Sequence, residues 1–216
     1  YTQLPVSRLL AQENKLKSES CIQYNVGAQY EGDGRFYKAE LYYKKYDRLA
    51  LVEKGTVDAA EVLTSGGYGY SKGFDLFFND RVLLKNLEYQ LSYTYNIAKR
   101  KFQEYTELTT PQYATQHNAS LVLKYSIPRI GTIVGLTNRF SSGRPYHNPD
   151  LLGLMNDHVK PYNSLDLGLT FLPSKKVIIH ASATNILCRK NEFGRVNNKA
   201  ILASNDHFFY IGVFIT

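Results

Sequence analysis

A general base or a bound metal needs a histidine with company, and the five histidines of this chain have none in the sequence. His117, His147, His158, His180 and His207 sit singly, without a paired carboxylate or a partner one helical turn away. Of these only His180 falls in the middle of an alternating segment, where a hydrogen-bonded wall histidine is the plain alternative to a catalyst. No Gly-x-Ser-x-Gly elbow or reactive-cysteine pattern is present. Gly67, Gly69 and Gly73 miss the spacing of a phosphate-cradling loop, and no helix pattern follows them. They read as bare backbone giving room to Tyr68 and Tyr70. Cys21 and Cys188 lie at opposite ends with no metal-like spacing, so they read as distant and unpaired. No enzyme, metal or cofactor is expected.

The elements that carry these residues are strands of one particular kind. Along 87–97 every odd residue is apolar or aromatic (Leu87, Tyr89, Leu91, Tyr93, Tyr95, Ile97) and every even one is polar (Glu88, Gln90, Ser92, Thr94, Asn96). Successive side chains of a strand face opposite ways, so such a strand stands between two different media. Eight further strands follow: about 20–30, 36–47, 68–80, the 117–127 region, 132–141, 163–172, 177–187 and from His207 onward, alternating in the same way except that 132–141 is less regular. Tight turns fall near 31–35, 81–86, 128–131 and 173–176. Long connections fall near 5–19, 48–67, 100–116, 142–162 and 188–206.

Long two-solvent strands joined by alternately short and long connections describe a transmembrane antiparallel β-barrel, with the long loops outside and the short turns in the periplasm. Composition agrees. The 216 residues include 18 Tyr and 11 Phe but no Trp, and tyrosine, apolar in body and polar at its tip, suits a boundary between hydrocarbon and water. No apolar run approaches the ~18 residues of a membrane-spanning helix. The mean hydropathy of −0.33 fits a barrel, in which half of each strand faces a polar lumen. A water-soluble antiparallel barrel or sandwich is the other reading of the periodicity. The net charge of +7 is scattered rather than gathered on one face, which argues against a nucleic-acid partner. Outer-membrane lipid and lipopolysaccharide are the expected surroundings.

On this pattern Glu88, Gln90, Asn118, Lys124, Asp166 and His180 face the lumen. Residues 1–4 would be the outer end of an earlier strand, and the ninth strand would run down to the periplasm. Nine strands do not close a single-chain barrel without leaving an edge open to lipid, so the chain is expected to be part of a longer wall. In the 142–162 loop, Arg144, Tyr146, His147 and Asn148, held by Pro145 and Pro149, form either a platform for substrate or a lipoprotein lid, or a tie between the loop and the rim. Arg139 and Arg144 read as phosphate or substrate contacts, or as solvated rim charges.

Several strings carry a family resemblance: Glu40-Leu41-Tyr42-Tyr43-Lys44-Lys45-Tyr46, Gly67-Tyr68-Gly69-Tyr70-Ser71-Lys72-Gly73, Ser142-Gly143-Arg144-Pro145-Tyr146-His147-Asn148-Pro149, Thr184-Asn185-Ile186-Leu187 and Phe208-Phe209-Tyr210-Ile211-Gly212-Val213. The chain resembles the last third of the barrel of TonB-dependent outer-membrane receptors of the Bacteroidetes type. The resemblance implies an all-β fold, with 1–216 supplying the last nine of 22 strands and with the plug and earlier strands lacking a counterpart. It also implies energised uptake through the TonB-ExbB-ExbD system, reached through the missing N-terminal region. The alternative it leaves is a barrel scaffold for surface lipoproteins, without transport. The β-barrel assembly machinery would read Tyr210, Gly212 and Ile215 as a terminal signal, with a closing aromatic expected one residue beyond Thr216.

If the odd positions of 87–97 meet lipid, Leu91→Arg impairs assembly, because a charge near mid-bilayer costs about 2–4 kcal/mol. Ser92→Arg is the milder change. Heat-modifiable migration of the folded barrel on gels distinguishes them, and equal tolerance at the two sites would overturn the two-solvent assignment.

Overall fold

The computed structural model of the protein describes residues 16–54, 61–196, 199–202 and 207–215. The expected earlier strand at 1–4, most of the 5–19 connection and Thr216 lie outside them. Nine strands form one antiparallel sheet in strict chain order, each paired with its sequence neighbour. They are β1 (Ser20–Gly32), β2 (Arg35–Lys54), β3 (Glu61–Leu84), β4 (Leu87–Phe102), β5 (His117–Ile127), β6 (Thr132–Ser141), β7 (Tyr162–Ser174), β8 (Val177–Thr184) and β9 (Phe208–Ile215). A short strand, Tyr105–Thr109, folds back on the outer end of β4. Among the described residues β1 and β9 are not paired with each other, so the sheet is an open piece of barrel wall.

The registers bring the alternating side chains into continuous rows. One row runs Val26, Leu41, Phe74, Tyr95, His117, and the next Ala28, Ala39, Leu76, Tyr93, Ala119, Phe140. On the far side Leu123, Leu136, Leu167 and Ala183 continue the face, and β9 joins it through Phe209, Ile211, Val213 and Ile215. Aromatic pairs such as Phe74 with Tyr93 and Tyr95, ring centres 5.7 Å apart, knit the rows together. Apolar side chains on this face stand in the open, with Val26, Leu41 and Ile211 at 67, 58 and 76% exposure.

The opposite face is hydrogen-bonded and charged. Asn96 Oδ1 accepts from Tyr42 at 3.0 Å and from Ser71 at 2.7 Å, and Thr94 donates to Asp75 at 2.6 Å. Gly73 lies beneath Tyr42 with no room for a side chain, since a Cβ there would stand 1.9 Å from the carbonyl oxygen of Tyr95. Gly67 and Gly69 are equally confined by the Lys101 and Lys99 carbonyl oxygens, at 2.6 and 2.5 Å. Close backbone approach, as expected for this glycine string, explains them.

The turns at the other end are short. Asp33-Gly34 and Lys85-Asn86 close two hairpins with left-handed residues, a 3-10 turn Pro128–Ile130 closes the third, and Lys175-Lys176 the fourth. Asp80 fastens this end: its Oδ1 accepts from the Val82 and Leu83 amides at 2.8 Å, while Oδ2 takes the Tyr37 hydroxyl and lies 3.2 Å from Arg35 Nε.

Five sequence boundaries are corrected. The second and third strands do not stop near 47 and start near 68: β2 and β3 pair on to Lys54 and Glu61, with register shifts around Leu49. β3 also runs past Asp80 to Leu84, and β4 continues to Phe102. The long connections hold structure of their own, including a hairpin of Glu192–Val196 with Lys199–Leu202. In the opposite sense, the eighth strand ends at Thr184 rather than 187.

Candidate functional site

The outer ends of β2 to β7 and the connections between them build a layer unlike the sheet below. All six buried hydrophobic residues among those described lie in it: Leu49, Leu51, Ala98, Tyr146, Met155 and Val159. Leu51 bridges to Gln103, whose backbone carbonyl accepts from the Val52 amide at 2.8 Å and whose amide donates to Ala50 at 2.6 Å. Beyond the short strand the chain runs along the β4 edge, where the Asn96 amide donates to the Gln116 carbonyl at 2.8 Å. Ser142 Oγ accepts from the amides of Gln116 and His117, at 2.9 and 3.0 Å, and so ties this strip to the next loop.

The 142–162 loop is organised by two residues that alternation cannot reveal. Asn156 donates to the carbonyls of Asn148, Leu151 and Gly153 at 3.0, 2.8 and 2.9 Å and accepts from the Asn148 amide at 2.8 Å. Asp157 takes the Tyr146 hydroxyl at 2.5 Å, the Asn148 amide nitrogen at 3.0 Å and the His158 backbone N–H at 2.7 Å. Gly143 lies against Val159, whose carbonyl oxygen would be 1.9 Å from a Cβ. Asparagine and aspartate bond the backbone locally and hold such compact loops.

The four residues singled out in this loop therefore separate. Tyr146 is buried and its hydroxyl is committed to Asp157, with Arg195 over its ring at 5.7 Å. Asn148 is committed to Asp157 and Asn156. His147 is exposed. Arg144 lies over the ring of Phe193, 5.3 Å from its centre, beside a cavity of about 230 Å³ that Lys160, Tyr162 and Glu192 also line. Arg195 holds Glu192 through two contacts of 3.1 Å. A second cavity, about 460 Å³, opens between the β4 edge at 96–99 and the 158–161 segment. Amides, hydroxyls and a few cations converge on both cavities, which is chemistry for holding a polar or anionic ligand.

Glu88, Gln90, Asn118, Lys124, Asp166 and His180 share the face opposite the apolar rows. They are spread along it rather than gathered. Asp166 accepts from Arg139, Ser164 and the Asn185 amide at 2.8, 2.8 and 2.9 Å, so Arg139 is engaged within the sheet. His180 meets Thr170 at 3.0 Å. His117 lies on the apolar face, its Nδ1 2.8 Å from the Tyr93 hydroxyl. Cys21 and Cys188 are both free and exposed. On β9 Tyr210 folds over Gly212, and Ile215 joins the apolar rows.

Comparison with known proteins follows this architecture. Residues 6–186 match the family model "TonB dependent receptor-like, beta-barrel". No curated protein matches the chain. Among solved structures, the ferric-catecholate import receptor Fiu of Escherichia coli K12 superposes with a TM-score of 0.74 at 12% identity, over 94% of this chain and 29% of that one. The ferripyoverdine receptor of Pseudomonas aeruginosa gives 0.73 at 15% identity, over 92% and 27%. The ferric yersiniabactin uptake receptor FyuA of Yersinia pestis gives 0.68 at 16%, over 90% and 29%. The chain thus spans less than a third of the length of each.

The Asp157 carboxyl is held at about 2, well below its ordinary 3.8, first by the Tyr146 hydroxyl and then by the Asn148 amide and the His158 N–H. A depressed carboxyl stabilises the fold above its unfolded value and loses that contribution as pH falls through the folded one. Resistance of the 142–162 loop to protease is therefore constant above pH ~4 and falls between there and pH ~2. Asp157→Asn lowers the resistance at neutral pH and flattens its dependence across that window. A wild-type loop equally resistant at both ends of the window would contradict the assignment.

Proposed function

The chain belongs to the TonB-dependent receptor β-barrel family, and from that premise we propose that it supplies wall and outer vestibule to an energised importer. Proteins of this family are β-barrels of the Gram-negative outer membrane and act as receptors and transporters. The observation that carries the reading for this chain is the set of mainly apolar rows that runs across all nine strands, interrupted by His117, Asn138 and Asn163 and left in the open on one face. A hydrocarbon surrounding makes such a face favourable, and a closed ladder satisfies its backbone there. In this reading Glu88, Gln90, Asn118, Lys124, Asp166 and His180 face the lumen, and further wall pairs with the free edges of β1 and β9. No catalytic step is assigned to any residue.

Substrate meets the outer layer, where His147 is exposed and Arg144 and Lys160 line the smaller cavity, the one over the Phe193 ring and the other 3.9 Å from Glu192. Tyr146 and Asn148 act as supports for that surface. Motion of substrate inward requires the TonB system acting on parts of the protein beyond this sheet. The β-barrel assembly machinery engages β9, through Tyr210, Gly212 and Ile215. The structural relatives named above are receptors for ferric chelates, which supports a ferric chelate as the substrate class. A surface lipoprotein remains a partner that the same outer layer could seat.

Native Cys188, beyond β8, reacts with a membrane-impermeant maleimide on intact cells, whereas Lys175→Cys in a chain with Cys21 and Cys188 replaced by serine reacts only after the outer membrane is permeabilised. The reverse pattern would invert the topology. Uptake is read separately: growth on at least one of a panel of ferric chelates is lost both on deleting the gene and on deleting TonB. Unchanged growth on every chelate would remove that substrate class.

A further inference from the structure

Strand β4 carries one stretch of open edge. On its β3 side the ladder runs from Tyr89 to Lys101. On the other side β5 pairs with it as far as Tyr95, the Asn96 amide donates to the Gln116 carbonyl, and the short strand takes over at Arg100. Residues two apart on a strand present their amide and carbonyl to the same side. The carbonyl oxygens of Tyr95, Lys99 and Lys101 stand on the β3 side, against Gly73, Gly69 and Gly67. The N–H and C=O of Ala98 therefore point away from β3, and among the described residues nothing bonds them there.

These two groups face the larger cavity, of about 460 Å³, which the 114–116 strip and the 158–161 segment help to enclose. That volume lies within the range of ligand pockets, ~300–1,000 Å³. An amide and a carbonyl side by side on an open strand edge are a template for the main chain of another molecule. About 13 Å separates Asn96 from Arg100 at ordinary strand rise, so the opening admits the end of a chain rather than a whole strand. Charge selects which end. Lys99 and His158 line the cavity, and no carboxylate does.

We propose that this recess seats the C-terminal end of a peptide carried by the substrate. One extended residue of that peptide donates its N–H to the Ala98 carbonyl and accepts from the Ala98 N–H, as an antiparallel pair does. The terminal carboxylate then lies toward Lys99 and His158. A ligand of hydroxyl groups could take either bond, but it does not present a donor and an acceptor at strand spacing. The inference deepens the reading of the outer layer as the place where substrate is received, and it rests on that reading.

The test uses the full-length receptor that carries this sheet, purified from outer membranes in mild detergent, and reads hydrogen exchange at single amides. In the free receptor the Ala98 amide is expected to exchange faster than those of Ile97 and Lys99, which bond to β3. The peptide Ala-Ala-Ala slows it. The same peptide methylated on its backbone nitrogens gives no protection and binds about tenfold more weakly, the worth of a lost hydrogen bond. The tripeptide amide, without the terminal charge, is weakened as well. A98P removes the donor on the open side and no bond to β3, and it lowers affinity for Ala-Ala-Ala about tenfold. Slow exchange of Ala98 in the free receptor would overturn the inference, because the receptor itself would then cover the edge. Equal affinity for Ala-Ala-Ala and its methylated form would overturn it too, and neither result depends on a variant folding. Equal affinity for the acid and the amide would overturn the assignment to a C-terminus. The chelate reading is checked apart, by growth. Protection of Ala98 by the tripeptide with unchanged growth on every ferric chelate defeats that substrate class alone, whereas TonB-dependent growth on a chelate with no protection by any peptide defeats this inference alone.

Discussion

A peptide group in hydrocarbon has no water to bond, and this sheet is arranged around that fact. Each of the eight strand pairs is an antiparallel ladder between sequence neighbours, so the backbone of every inner strand is satisfied on both sides. The ladder also sets the side chains. Because the strand period is two, a slip of one residue would carry Leu41, Phe74 and Tyr95 to the polar face and Tyr42, Gly73 and Asn96 to the apolar one. Register, backbone satisfaction and the separation of solvents are therefore one constraint. The glycines serve it as well: at Gly73 the Tyr95 carbonyl comes so near that any side chain would push the ladder apart.

The distribution of apolar residues follows from having two solvents. In a water-soluble protein the large aliphatic side chains are inside. Here Val26, Leu41 and Ile211 stand exposed on the wall, while the buried hydrophobic residues are confined to the outer layer, around Leu51 and Val159. The wall buries its apolar rows in lipid and needs no interior packing to do so. The outer layer stands in water, and it must make a small core of its own. Its polar bonds are correspondingly dense, with the Asn156 side chain alone reaching four carbonyls.

Legibility in the sequence divides along the same line. Where the two faces meet different media, alternation is enforced residue by residue, and 87–97 or Ala119, Leu121, Leu123 could be read as strands with the correct face. Where β2 and β3 rise beyond the bilayer both faces are wet. Arg48, Leu49, Ala50, Leu51 and Val52 carry no alternating period, and the register shifts around Leu49, so the strands were expected to end too early. Pro145 and Pro149 showed that the segment around Tyr146 in the 142–162 loop was constrained. The roles of Asn156 and Asp157 were hidden, because a side chain bonding local backbone has no periodic mark. Tyr146 looked like a contact residue for the same reason, since nothing in its neighbours announces that Asp157 holds its hydroxyl.

The same division explains how the fold persists when the sequence does not. A lipid-facing position asks only for an apolar or aromatic side chain, so Leu, Val, Phe and Tyr exchange there at little cost in packing, and a sheet can superpose at a TM-score of 0.74 with 12% identity. The outer layer has no such tolerance. Replacing Asn156 or Asp157 with a residue of equal hydropathy would leave carbonyls, amides and the Tyr146 hydroxyl without partners in a partly buried loop. Changes that leave the layer intact must then fall on the few outer side chains that build nothing, such as His147, or arrive as exchanges of a whole loop with its internal bonds intact. The wall is thereby free to drift within its alternation while the layer above it changes in discrete steps.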